Sequence, residues 1–288
     1  MNIAFVVLHY NNNNSTKHCL DSLLPYLSSN RFNVDIVIVD NGSPIEKFAS
    51  IYNKLPEKEH IHLINLNTNL GFSKGNNVGY EYSKYQLHSS VIVLANSDVY
   101  FSQKDFLDCV EKYIVKKHID IAGPKIFSKE KNINENPIPR LFYTQWDILK
   151  RIIKDYILLI SSYFWGFDSF LSQSFGHNVL KNRDSNIEST KVNFQLHGSC
   201  LIFANRYIKE ENGLYDKPFM YSEENILRYL ADLNHYKMAY IPELFVYHVG
   251  GLSTPGNYKT SSRKRRFRYR NTIKSNLLLI ALIKKNSH

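Results

Sequence analysis

Cysteine is scarce in this 288-residue chain, with three residues, Cys19, Cys109 and Cys200, scattered along it. They are too few for a disulfide framework and too dispersed for a zinc cluster, so a reducing compartment is the simpler setting. Acidic side chains are also in deficit. Asp and Glu number 26 against 36 Lys and Arg, a formal net charge of +10. That balance favours an anionic partner: nucleic acid, an acidic membrane surface or a phosphorylated substrate. Long apolar runs are missing as well. The longest, YILLISSYFWGF at 156–167, falls short of the roughly 20 residues a spanning helix needs. The opening MNIAFVVLHYNN has neither a basic n-region nor a small-residue cleavage site, so it reads as a first β-strand and not as a signal peptide. Internal repeats are absent, and NNNN at 11–14 is the single low-complexity stretch.

What is present is a 43% apolar content, enough for one large α/β domain or one domain with an appendage. Apolar runs at 3–8, 34–40, 60–66, 91–96 and 120–123 read as strands. Helices between them are expected to begin at a Ser15 cap and near Pro44, Lys74 and Gln103; the first carries Cys19, Leu20, Leu23, Leu24 and Leu27 on one face. Nearly all-apolar strands with helical crossovers imply a mostly parallel sheet with helices on both faces. Ligands of such sheets gather beyond the carboxyl ends of the strands. There stand His9-Tyr10-Asn11, Asp40-Asn41-Gly42-Ser43, the stretch from Asn67 to Gly79, and Asn96-Ser97-Asp98, all lining one crevice. In NTNLGFSKGNNVGYEY (67–82), Gly71, Gly75 and Gly79 recur at every fourth place. That matches neither the dinucleotide nor the P-loop pattern, and the stretch reads as one wall of the crevice.

After residue 123 the alternation stops. An apolar and aromatic block, LFYTQWDILKRIIKDYILLISSYFWGFDSFL, precedes two short strands, VNFQLHG and CLIFAN. A loop leading into a helix, LYDKPFMYSEENILRYLADLNH, and a last strand, ELFVYHVGG, follow. Asp98 leaves a buried strand, where an unpaired carboxylate costs several kcal/mol. It is either a loop cap or a ligand to a hard cation such as Mg2+ or Mn2+, with Asn96 adding a carbonyl oxygen. Glu223 and Glu224 open a helix. They either complement its dipole or serve as a base, since a like-charged neighbour raises the pKa of one of them. His248 alone reads as structural; with Asp98 it completes a metal site.

In this order VVLHYNN, VIVDNGS, NLGFSKGNNVGY, VLANSDV, HGSCLIFANR, GLYDKPFMYSEENILRYL, YHVGGLS and YRN resemble the bacterial family 2 glycosyltransferases, especially their rhamnosyltransferase-like branch. The resemblance covers roughly residues 3–126 and 192–273. It implies a GT-A fold and inversion at the sugar carbon, with a nucleoside-diphosphate sugar as donor and a divalent cation as cofactor. Asp40 would contact the base, His9, Tyr10 and Asn11 would touch it through backbone and side chain, and Gly71, Asn76 and Asn77 would cradle the nucleoside. Asn96-Ser97-Asp98 stands for the family's Asp-x-Asp metal motif, with His248 matching the third ligand. Glu223-Glu224 stands for the Glu-Asp base motif, which makes Glu224 the first choice for the base and Glu223 the second. The implied acceptor is a hydroxyl of a glycan, lipid-linked, in O-antigen or capsule synthesis, with rhamnose from a dTDP donor as the leading sugar.

The expected organisation is a catalytic domain over 1–250, divided into a donor part (1–126), a variable insertion (127–190) and an acceptor and base part (191–250). A basic amphipathic tail follows over 251–288. Arg263, Lys264, Arg265, Arg266, Arg268 and Arg270 precede Ile273, Leu277 and Ile280 at helical spacing. Such a pairing suggests an anchor on the anionic cytoplasmic face of the membrane, each basic residue worth about 1 kcal/mol there. The block from Trp146 to Phe170 shares that role, covers the acceptor, or is core. Among rivals, a sugar nucleotidyltransferase lacks its Gly-rich basic signature after the first strand, and a nucleic-acid module lacks basic residues interleaved with aromatics. A non-catalytic nucleotide-sugar binder stays open, because the metal motif is degenerate.

Overall fold

A computed structural model describes residues 1–55, 58–139, 144–164, 194–249 and 262–286. Four strands, β1 (Asn2–His9), β2 (Asn33–Asp40), β3 (Ile61–Asn65) and β4 (Val91–Asn96), pair in parallel in the order β3-β2-β1-β4. Residues 3–7 of β1 are completely buried, as expected of a strand covered on both faces. The connecting helices are α1 (Asn13–Leu27), the single turn α2 (Ala49–Tyr52) and α3 (Phe72–Tyr85). Helix α1 turns Cys19, Leu20 and Leu23 inward, matching the expected face. Its cap is not Ser15 but Asn12, whose side-chain oxygen accepts from the Ser15 amide at 3.0 Å. Ser15 lies inside the helix and gives its hydroxyl to the Ser97 carbonyl.

The second half departs from simple alternation. It comprises β5 (Val99–Tyr100), α4 (Phe106–Val110) continued by a π-helical turn over Glu111–Val115, and β6 (Ile121–Ser128). Then follow β7 (Ile133–Asn134), β8 (Ile138–Pro139), α5 (Gln145–Ser161), β9 (Phe194–Gln195), β10 (Cys200–Ala204) and α6 (Asn205–Glu210). The last elements are α7 (Glu223–Leu233), β11 (Met238–His248) and α8 (Ser262–Lys285). The sheet continues β4-β10-β6-β11-β5. Strand β10 is antiparallel to both β4 and β6 and separates them, so the fifth expected strand does not neighbour the fourth. Strand β11 runs parallel to β6 and antiparallel to β5.

One core lies between the sheet and α1 and α4, a second under α3, α6 and α7. A third joins α5, α7 and α8 through Ile148, Ile152, Ile226, Ile273 and Leu279. Helix α8, within the expected 251–288 tail, thus packs against the rest of the chain. Ile273 is buried and Ile280 packs against the same cluster, while Leu277 faces out. The remainder of the aromatic block after Phe164, and Gly250-Gly251, lie outside the described residues.

Candidate active site

The ends of β1 and β2 are tied to the loop over 43–48. Asp40 is buried, and its two oxygens accept from the Ser43 amide (2.9 Å) and the Phe48 amide (3.0 Å). Asn11 donates its backbone amide to the Ser43 hydroxyl (3.0 Å), and its side-chain oxygen accepts from the amides of Ile45 and Glu46. His9 is 0% exposed, with Nε2 donating to the Glu46 carbonyl at 2.6 Å and Nδ1 bonded to the Thr16 hydroxyl at 2.7 Å. A wholly enclosed ring has no face to offer a base, which corrects the expected side-chain contact from His9. Tyr10, half-exposed beside it, keeps an open face.

The glycine series has a different purpose from the one expected. Gly71 adopts φ +86°, and a Cβ there would overlap the Phe219 carbonyl oxygen, which accepts from the Phe72 amide at 2.8 Å. Helix α3 begins directly after it. Gly75 and Gly79 therefore lie on one helical face, against Leu8 and against Val6 and Val39 respectively, so they let α3 lie close on the sheet. Asn76 donates to the Phe72 carbonyl of its own helix. Asn77 uses both ends of its amide on Leu214, accepting from its N–H and donating to its C=O, each at 2.7 Å. Buried in these bonds, Asn76 and Asn77 hold α3 in place and are not turned to the crevice, a second correction. Asn41 clamps the same region to β2 through Asn69, Leu70 and Gly71.

Asp98 and His248 are brought together. Register pairs His248 with Val99, which sets His248 beside the β4–β5 turn. Its Nε2 lies 3.3 Å from Asp98 Oδ2. Nδ1 donates to Glu135 at 2.6 Å, and Glu135 takes a second bond from Lys131 at 2.6 Å. Burial alone would lower the His248 pKa; the bonds to Asp98 and Glu135 outweigh it and carry the imidazole from 6.5 to about 9. Burial would raise Glu135, but His248 and Lys131 hold it down at about 2. The His197 ring stands 5.8 Å from that of His248. Its pKa is pushed down by burial, against the pull of Glu224 and Glu135. Glu224 Oε1 accepts from the Gly198 amide, next in the chain to His197, at 3.3 Å.

Glu223 points elsewhere. It is buried, its Oε1 accepts no hydrogen bond from a described residue, and burial followed by the Glu224 charge pushes its pKa up to about 8. The chain reaches this pair through Tyr221 and Ser222, both left-handed at φ 71° and 66°. Two consecutive non-glycine residues in that region store strain that neighbours must hold. Helix α8 does so: Ser222 donates to Asn276 (2.8 Å), and Ser275 donates to the Met220 carbonyl (3.1 Å).

Among the described residues no three His, Cys, Asp or Glu side chains form a ready-made metal cluster. A divalent cation of the Mn2+ type would be held by the Asp98 carboxylate, with phosphate oxygens and water filling its shell, and by His248 Nε2 only once that nitrogen gives up its proton. Glu135 behind the imidazole gives the carboxylate–histidine arrangement that orients metal-binding histidines. Asn96 is half-buried on the same turn, and Ser97 is buried there. Asp40 lies two strands from Asn96 by register, about 10 Å at the usual strand spacing.

A sequence profile described as "Glycosyl transferase family 2" matches residues 4–176. A curated relative, the low-salt glycan biosynthesis hexosyltransferase Agl10 of Haloferax volcanii, is 24% identical over 194 residues. The match covers 66% of this chain and 50% of that protein, so the chain spans about half the length of this relative. Among solved structures, mannosyltransferase PcManGT from Pyrobaculum calidifontis, in complex with GDP-Man and Mn2+, gives a TM-score of 0.55 at 11% identity, over 96% of this chain and 64% of that one. S. aureus TarS 1-349 in complex with UDP-GlcNAc gives 0.55 at 17% identity, over 96% and 67%. The fold is of the GT-A type. With more than half its length matched, the chain is a member of glycosyl transferase family 2.

Proposed function

We propose that the protein is an inverting, cation-dependent glycosyltransferase that moves a sugar from a nucleoside diphosphate to a hydroxyl of a glycan. One observation carries this reading: Asp98 and His248, far apart in sequence, lie 3.3 Å apart, and the Glu224 carboxylate accepts from the Gly198 amide, next in the chain to His197, whose ring stands 5.8 Å from that of His248. Asp98 and His248 would hold Mg2+ or Mn2+ against the donor diphosphate. When bound, the cation supplies positive charge to the departing nucleoside diphosphate. Glu224 takes the proton of the acceptor hydroxyl. That oxygen bonds to the anomeric carbon from the face opposite the diphosphate, whose bond to the sugar breaks with inversion.

The remaining residues of the site orient these three. Glu135 fixes the His248 proton on Nδ1, so that Nε2 faces Asp98. Glu223 is kept neutral by burial and by the neighbouring Glu224 charge. The loop organised by Asp40 and Asn11, with the open face of Tyr10, forms the side of the crevice for the nucleoside. A rhamnosyl donor and a lipid-linked acceptor in surface polysaccharide synthesis are the finer reading, supported by the motif resemblance alone. Asn96 in place of an acid favours a second reading, a non-catalytic nucleotide-sugar binder. Product formation from a panel of nucleotide sugars, with and without EDTA, separates them. Transfer that EDTA abolishes supports the enzyme; binding with no transfer or hydrolysis supports the second reading.

A further inference from the structure

Helix α5 is unusual for a helix on the outside of a domain. Its inward face, Ile148, Ile152, Asp155 and Leu158, is buried against α7 and α8. Its outward face is apolar as well: Trp146, Leu149, Ile153, Tyr156, Ile157 and Ile160 are exposed, Trp146 by 70% and Ile160 by 60%. Tyr163 and Phe164, just past its end, continue the series. At about 100° per residue these positions fall within one stripe roughly 120° wide. The six positions on α5 itself stay open to solvent, and a contiguous apolar surface of this kind marks an interaction site.

The surroundings of the stripe point to its occupant. Neither acid of α5 faces outward: Asp147 closes the capping box with Thr144, and Asp155 is buried and bonded to Arg151. Lys150 is exposed next to the stripe. At its far end the stripe meets α8, where Arg266 stacks over the Tyr163 ring at 4.6 Å and Arg270 donates to the Tyr163 hydroxyl. Arg263, Arg266, Phe267 and Arg270 line a hollow of about 360 Å³. Aliphatic and aromatic side chains bordered by Trp, Tyr and arginines match the acyl–headgroup boundary of an anionic bilayer. A second copy fits less well, because a two-fold contact places the same patch, arginines included, on both sides. No described helix is long and apolar enough to cross a membrane, so the contact would lie in the plane of the surface.

We infer that α5 lays its outward face on an anionic lipid surface, with the α8 arginines meeting the headgroups. This revises the expected anchor: Ile273 and Leu279 of α8 are spent on the protein core, and α8 contributes mainly its arginines beside the exposed Phe267. The inference stands independently of sugar transfer.

Flotation of the full chain with vesicles of phosphatidylcholine, with and without phosphatidylglycerol, tests it. Binding is expected with the anionic lipid and weaker without it. The triple variant Ile153→Ser, Ile157→Ser, Ile160→Ser should lower partitioning about tenfold or more at unchanged melting temperature. Arg263→Glu with Arg270→Glu should remove the dependence on phosphatidylglycerol. In a Trp165→Phe background, which leaves Trp146 as the single tryptophan, brominated lipid should quench its emission. No flotation, or binding that the isoleucine variant leaves intact, overturns the inference. So does a lipid-free dimer that the same variant dissociates. Transfer to a soluble acceptor, measured on the same proteins, reports separately on the catalytic reading.

Discussion

The purpose of the glycine series can be tested at Gly79. A Cβ built there lies 2.9 Å from Val39 Cγ2 and closer still to Val6 Cγ1, against the 3.5–4.0 Å of comfortable carbon contacts. Both valines are β-branched, completely buried and fixed in adjacent strands, so neither can turn aside cheaply. In a solvated helix Gly→Ala gains about 1 kcal/mol. Overpacking a tight core costs about 1–3 kcal/mol, and with two stiff neighbours the upper half applies. The expected net effect of Gly79→Ala is a loss of about 1–2 kcal/mol, or roughly 2–4 °C in melting temperature for a chain of this size. Thermal unfolding followed by circular dichroism reads it, and donor affinity at a temperature where both proteins are folded should be unchanged. A variant that melts at or above wild type, or one that keeps its stability and loses donor binding, refutes the packing argument.

Other expectations concern the site. Glu135→Gln should weaken Mn2+ binding, measured with a nucleoside diphosphate present, by about 10–100-fold; unchanged affinity removes Glu135 from its orienting role. Glu223 gives a pH signature of definite sign. Its folded pKa is raised from 4.5 to about 8, so between those values the folded protein binds the extra proton and stability falls as pH rises. Glu223→Gln should remove that slope and melt higher than wild type at pH near 8, with little difference at pH near 4. Parallel melting curves across this window would contradict the buried, neutral acid. Asn276→Leu leaves the buried Ser222 hydroxyl without its partner; a loss of about 1–3 kcal/mol is expected, with slower transfer because α8 no longer holds the start of α7. Normal transfer from that variant would show that α8 does not support the base.

Much of the fold is legible in the sequence because β1 and β4 carry unbroken apolar runs and the run of β2 is interrupted by Asp35 alone, a pattern that requires cover on both faces. The position of β10 is not, since local periodicity says nothing of which distant strand will separate β4 from β6. The glycines could be placed correctly only with the start of α3 at Phe72: inside a helix a four-residue repeat is one face, whereas in a loop it suggests a ligand. Asp98, His248 and Glu224 stand out as polar groups at the ends of apolar segments. Glu135 gives no such signal. It sits in an irregular stretch, 113 residues before the His248 it touches, and no local pattern links the two. His197 belongs to a quoted motif, yet its neighbours become visible only when β9, α7 and β11 meet. The basic helix α8 is recognisable by composition, but which side chains its apolar positions cover depends on α5, whose own pattern is apolar on two sides.

The most direct test is the turnover of Glu224→Gln, read beside its affinity for donor and cation. The variant keeps the size of the side chain and removes the proton acceptor. A fall of about 10²–10⁴ in turnover, with folding and both affinities retained, is the predicted result. Turnover near that of wild type would contradict the proposed chemistry.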